Sequence, residues 1–86
     1  MKSASVTIKN PTGLHARPAS DFCKLANSLG CDIKLEKEGK AINGKSVIAI
    51  MSLGVGQGST LQIRTEGEGE EEALNSLVSY FDTLED

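Results

Sequence analysis

The sequence predicts an α+β domain, an antiparallel sheet with helices packed on one face and water on the other, in the order β-α-β-β-α-β-α. Two observations carry this. The candidate strands alternate apolar and polar residues rather than running continuously apolar, as strands buried on one face only do. Between them the apolar period lengthens to that of a helix three times, with no linker, repeat or low-complexity segment to divide the 86 residues. A chain of this length makes one domain, residues 1–86.

The elements follow in order. "ASVTIK" puts Ala4, Val6 and Ile8 on one side and Ser5, Thr7 and Lys9 on the other. "NPTG" breaks that strand. From Ala16, a stripe of Ala19, Phe22 or Cys23, Ala26 and Leu29 predicts a helix, with Gly30 as its C-cap. "DIKLEK" alternates around Ile33 and Leu35, and "EGK" turns the chain into a short return strand at "AIN". "SVIAIMSLG" predicts a short helix capped by Ser46 and stopped by Gly54, with Val47, Ile50 and Met51 as its buried stripe. "TLQIRTE" turns Leu61, Ile63 and Thr65 inward. The last helix aligns Ala73, Leu74, Leu77, Val78, Phe81 and Leu84 on one face. Glu70, Glu71 and Glu72 fall in its first turn, where the dipole favours negative charge.

Residues 39–46, "GKAINGKS", match the phosphate-loop pattern G-x-x-x-x-G-K-S/T letter for letter. That pattern works only where a strand enters the loop and a helix leaves it. Here "KAIN" reads as strand inside the motif. The chain is also too short for several βαβ units of about 30 residues each. A nucleotide triphosphatase is therefore not expected.

Composition narrows the function further. Nothing approaches the run of about 18 apolar residues that a membrane span needs, and the N-terminus has no signal-like apolar stretch. Cys23 and Cys31 are too few for a disulfide scaffold and lack metal-ligand spacing, so no metal site is expected. They read as reduced structural thiols of a cytoplasmic protein, with a pairing between them as the second reading. Residues 1–45 hold eight of the nine Lys and Arg against four acids, whereas residues 46–86 hold one Arg against eight acids. This asymmetry points to a basic face for an acidic partner. A net charge of −3 and only three aromatic residues speak against nucleic acid.

The one histidine, His15, precedes the first helical turn in "NPTGLHARPAS". Taken alone, it reads as a polar residue capping the helix. Its neighbours suggest more. The amide groups of Ala16 and Arg17 and the helix dipole form an anion site beside the ring, and the Arg17 guanidinium can grip phosphate oxygens. A nucleophile beside its own phosphate cradle suits reversible phosphoryl transfer. Without a second base or metal ligands, the chain can carry a phosphoryl group but is not equipped to process a substrate.

"GLHARPA", the element order and "IMSLG" resemble the histidine-containing phosphocarrier proteins, HPr, of the phosphoenolpyruvate-dependent sugar phosphotransferase system, and the resemblance covers essentially the whole chain. It implies an open-faced β-sandwich of four antiparallel strands with three helices on one face. It implies that His15 accepts phosphate on Nδ1 from phospho-enzyme I and passes it to sugar-specific enzyme IIA domains, with Arg17 assisting. No cofactor is implied, and a monomer is expected. Ser46 aligns with the family's second phosphorylation site, modified in many Gram-positive-type members by HPr kinase/phosphorylase using ATP or pyrophosphate, which would add a catabolite-control regulator as partner. A serine that only caps the helix is the alternative. Residues matching Val47, Ile48 and Met51 form an exposed apolar patch in the family, here flanked by Lys24 and Lys45. Ile48 falls off the buried stripe and fits docking best. The nitrogen-branch carrier, a regulatory paralogue acting through Ser46 alone, and a non-catalytic α+β interaction module are the other readings. A paralogue of that kind would not need His15.

Overall fold

The computed structural model describes residues 1–84 and has the predicted order. Strand β1 is Lys2–Thr7, helix α1 Ala16–Asn27, β2 Asp32–Lys37, β3 Lys40–Asn43, α2 Val47–Met51, β4 Thr60–Glu66 and α3 Glu70–Thr83. The strands form one antiparallel sheet in the order β1-β4-β2-β3. The alternation sets the register: Val6 faces Leu61, Ala4 faces Ile63 and Leu35 faces both Ile63 and Ile42, so one face of the sheet becomes a continuous apolar surface.

The helices cover that face. Phe22, Ile33, Leu35, Ile50, Leu61, Ile63 and Leu77 are almost completely buried, each contributing about 1.5–3 kcal/mol of apolar transfer energy. Phe22 meets the rings of Tyr80 and Phe81 at centroid distances of 6.0 and 5.2 Å, which locks α3 against α1. Helix α3 begins after Gly69, whose φ of +76° suits glycine. Glu70 accepts from the Gly67 amide at 3.1 Å and pairs with the Met1 ammonium at 2.8 Å. Those two partners hold its carboxyl below the ordinary range, the ammonium contributing most.

Three expectations are corrected. Strand β1 ends at Thr7, although Ile8 stays buried because its amide and carbonyl bond to Ser59 and Gly58 at 2.8 Å each. Helix α1 ends at Asn27 with Ser28 as its C-cap, so Gly30 does not cap it. In α2, Ile50 is buried and Val47 half-buried, but Met51 is exposed. A five-residue helix turns too little surface inward to cover three apolar side chains. Residues 40–43 are strand paired with β2, which removes the phosphate-loop reading. Both cysteines are buried free thiols, and burial pushes the Cys23 thiol up in pKa, away from the reactive thiolate.

Candidate functional site

The segment between β1 and α1 is held at both ends. The Asn10 side-chain Nδ2 donates to the Gly13 carbonyl at 2.8 Å, and the Gly13 amide donates to the Asn10 carbonyl at 3.2 Å. Gly13 has φ +64°, and a Cβ there would lie 2.4 Å from the Val55 carbonyl oxygen and 2.6 Å from the Gly56 Cα. Only glycine allows this approach. The next residue, Leu14, is buried and donates its amide to that same Val55 carbonyl at 3.0 Å. His15 thus starts α1 from a fixed backbone.

His15 occupies the N-cap with extended backbone, yet its side chain makes no capping hydrogen bond. Its backbone carbonyl accepts the first intrahelical bond, from Ala19 at 3.0 Å. A ring that does not cap is available for something else. Its Nε2 is enclosed and has no hydrogen-bond partner. Among the described residues Nδ1 has no hydrogen-bond partner and is not one of the enclosed unpaired atoms, which leaves it as the nitrogen open to an incoming group. The amides of Ala16 and Arg17 precede the first intrahelical bond, and Pro18 has no amide hydrogen. Arg17 is exposed two residues after His15, with Nη1 3.3 Å from the Asp21 carboxylate. The Tyr80 hydroxyl donates to the Pro18 carbonyl at 2.9 Å and fixes this first turn against α3. Burial raises the pKa of that phenol, and the charge of Asp21 adds to the rise.

Helix α2 lies beside α1 and is tied to it at both ends. The Asn27 amide donates to the Lys45 carbonyl at 3.3 Å, while Val55, just past α2, holds Leu14. The two helices therefore run antiparallel, with the exit of α2 at the His15 end. Ile48 is 83% exposed and Met51 47% exposed, three residues apart on the open side of α2. Lys24 is exposed on α1. Lys45 is half-buried, and its ammonium donates to the Leu29 carbonyl at 3.3 Å, lying across the end of α1 rather than extending over the patch. Ser46 is the N-cap of α2, its Oγ accepting the Ala49 amide at 3.3 Å.

The sequence reading puts His15 and Arg17 at the start of one helix; in the structure His15 is the N-cap of α1 and Arg17 lies in its first turn, while Ser46 is the N-cap of α2 and Ile48 and Met51 are exposed on that helix. The sequence reading missed Asn10, Gly13, Asp21 and Tyr80. The "NPTG" stretch showed a chain break, but neither the burial of Asn10 nor the loop that approaches Gly13 leaves a periodic signal.

A protein-family model described as the "PTS HPr component phosphorylation site" matches residues 2–83. The chain belongs to the HPr family. Its HPr-family relatives include the HPr-like protein Crh of Halalkalibacterium halodurans, 43% identical over 95% of this chain and 98% of that protein. The phosphocarrier protein HPr of Mycoplasma pneumoniae is 45% identical over 95% of this chain and 94% of its own length. Among solved structures, HPr from Thermoanaerobacter tengcongensis superposes with a TM-score of 0.93 at 46% identity, covering 96% of this chain and 93% of that one. The HPr of that organism is also known as a crystalline dimer. The open-faced sandwich of four strands and three helices is the architecture that this HPr family shares.

Proposed function

We propose that this chain is a phosphocarrier of the sugar phosphotransferase system, accepting a phosphoryl group on His15 from phospho-enzyme I and passing it to enzyme IIA domains. One observation carries the reading: His15 sits at the N-cap of α1 without capping it, and leaves Nδ1 open beside the amide end of the helix. In the transfer, the Nδ1 lone pair forms the N–P bond as the donor's bond to the same phosphorus breaks, its electron pair returning to the donor. The ring keeps the hydrogen on Nε2 and takes up positive charge, and the amide groups of the first turn face the phosphoryl oxygens. Neither cofactor nor metal enters this step. Incubation with phosphoenolpyruvate and enzyme I tests it. The expected product is one acid-labile phosphate per chain, and an interaction module would gain none.

The same observation favours a carrier over a regulatory paralogue, which has no use for an open Nδ1. The nitrogen-branch carrier is separated by the choice of enzyme I. The protein is read as cytoplasmic and as working alone, one chain presenting one site. Sedimentation at working concentration checks this against a dimer.

Two predictions concern the residues around the histidine. Arg17→Ala is expected to slow transfer to and from His15 by about tenfold, because a guanidinium that meets the moving phosphoryl group acts mainly in the transition state. The loss is partial because the helix end still supplies donors. Arg17 is exposed, where substitutions change stability little, and loss of its pair with Asp21 costs only about 0.3–0.5 kcal/mol, so the melting temperature should move far less than the transfer rate. Unchanged rates with both enzyme I and enzyme IIA would reduce Arg17 to a surface charge.

Ser46 is read as a regulatory site for HPr kinase/phosphorylase, its modified form addressed to a catabolite-control regulator. Helix α1 has twelve residues, about 18 Å at 1.5 Å per residue, and Ser46 lies beside its far end. A phosphate there is more than one Debye length, about 8 Å in physiological salt, from His15. It acts on docking at Val47, Ile48, Met51, Lys24 and Lys45 rather than on the chemistry. Ser46→Asp is expected to weaken association with enzyme I, more at low salt than at high, and to leave the saturated transfer rate near that of the unsubstituted chain. The carboxylate can still cap α2, so stability is kept. Equal apparent affinity of both proteins at low salt would leave Ser46 as a helix cap only.

A further inference from the structure

Among the described residues, two buried polar side-chain atoms have no hydrogen-bond partner, Asn10 Oδ1 and His15 Nε2. Both belong to the same six-residue segment. Unpaired buried polar groups are few in folded proteins, and they concentrate where function requires them. The orientation of the Asn10 amide is not arbitrary. Only its nitrogen can donate to the Gly13 carbonyl, at 2.8 Å, so the oxygen is the orphan. Asn10 is also only 3% exposed, one of two polar residues buried in the described chain. Water cannot freely serve its oxygen.

The two orphans are chemically complementary. An acceptor oxygen suits a ring whose Nε2 carries the hydrogen, and that tautomer leaves the lone pair on Nδ1, the open nitrogen. Phosphoryl transfer to Nδ1 makes the Nε2–H more acidic and its need for an acceptor greater. We propose that Asn10 is a positioning residue for His15. Its Nδ2 fastens the loop that carries the histidine, and its Oδ1 is the acceptor toward which the Nε2–H side of the ring is directed as charge develops. This rests on the reading of His15 as the phosphoryl acceptor.

The test compares the unsubstituted chain, Asn10→Ala and Asn10→Asp by three measurements. These are transfer from phospho-enzyme I across enzyme I concentration, nitrogen NMR of the His15 ring, and thermal unfolding. Asn10→Ala is expected to lower the saturated rate by about tenfold, a geometric loss of the kind a small misplacement causes. The enzyme I concentration for half-maximal rate should stay within about twofold, and the ring should lose population from the Nε2–H tautomer. Asn10→Asp keeps an acceptor but cannot donate to Gly13. It should retain the tautomer better than Asn10→Ala, and it serves as the test variant if Asn10→Ala does not fold. A lower melting temperature with unchanged saturated rate and tautomer populations would overturn the proposal and leave Asn10 a structural brace. If the unsubstituted chain accepts no phosphate, the carrier reading fails instead, while the tautomer comparison still decides whether Asn10 positions the ring.

Discussion

His15→Ala is expected to accept no phosphoryl group from phospho-enzyme I while folding as well as the unsubstituted chain. The loss is complete because no other imidazole exists in the sequence. Both cysteines are buried, so neither thiol can substitute as a nucleophile. Retained stability follows from what the ring does not do. An N-cap side chain that bonds the helix contributes about 1 kcal/mol, but His15 makes no such bond. The bond that starts α1 runs from the Ala19 amide to the His15 backbone carbonyl and survives the substitution. The ring is only half-buried, and its enclosed Nε2 has no partner to lose. The stability change should therefore stay within about 1 kcal/mol. Label incorporation from phosphoenolpyruvate and a melt followed by circular dichroism measure the two halves of the expectation. Label at the unsubstituted level in a folded His15→Ala protein would move the acceptor elsewhere.

Much of the fold was legible because its signals are periodic. Alternation in "DIKLEK" and "TLQIRTE" marks β2 and β4 to the residue, and Ser46 marks the start of α2 by its capping chemistry. Short helices are harder to read. Over five residues the apolar stripe is defined by one turn, so Met51 could be assigned inward when the structure turns it outward. Lys45 shows a different limit. Its charge was visible, but the Leu29 carbonyl that receives its ammonium depends on where two distant segments meet. The site divides in the same way. His15 and Arg17 could be paired from one stretch of sequence. The loop contact between Gly13 and Val55 could not, because it is set by tertiary packing of segments more than forty residues apart.

That contact makes Gly13→Ala the substitution with the largest expected structural effect near the site. Alanine at φ +64° costs about 1–2 kcal/mol from its own backbone. Its Cβ would also stand 2.4 Å from the Val55 oxygen and 2.6 Å from the Gly56 Cα, both backbone atoms that cannot rotate away. The two loops must part, which breaks the bond from the Leu14 amide to Val55 at about 0.5–1.5 kcal/mol. Together these give a loss of about 1.5–3.5 kcal/mol. For a domain of this size that is a fall in melting temperature of roughly 6–28 °C. Two controls separate the causes. Gly58 has φ +87° but open space around its Cβ position, so Gly58→Ala isolates the backbone cost. Gly30 has open space and no positive φ, so Gly30→Ala should be neutral or slightly stabilising. Transfer adds a second readout. Because Leu14 leads directly into His15, folded Gly13→Ala protein should also transfer phosphate more slowly at saturating enzyme I, whereas folded Gly58→Ala should not. If Gly13→Ala melts no lower than Gly58→Ala and transfers at the unsubstituted rate, the Gly13–Val55 contact does not hold the histidine in place.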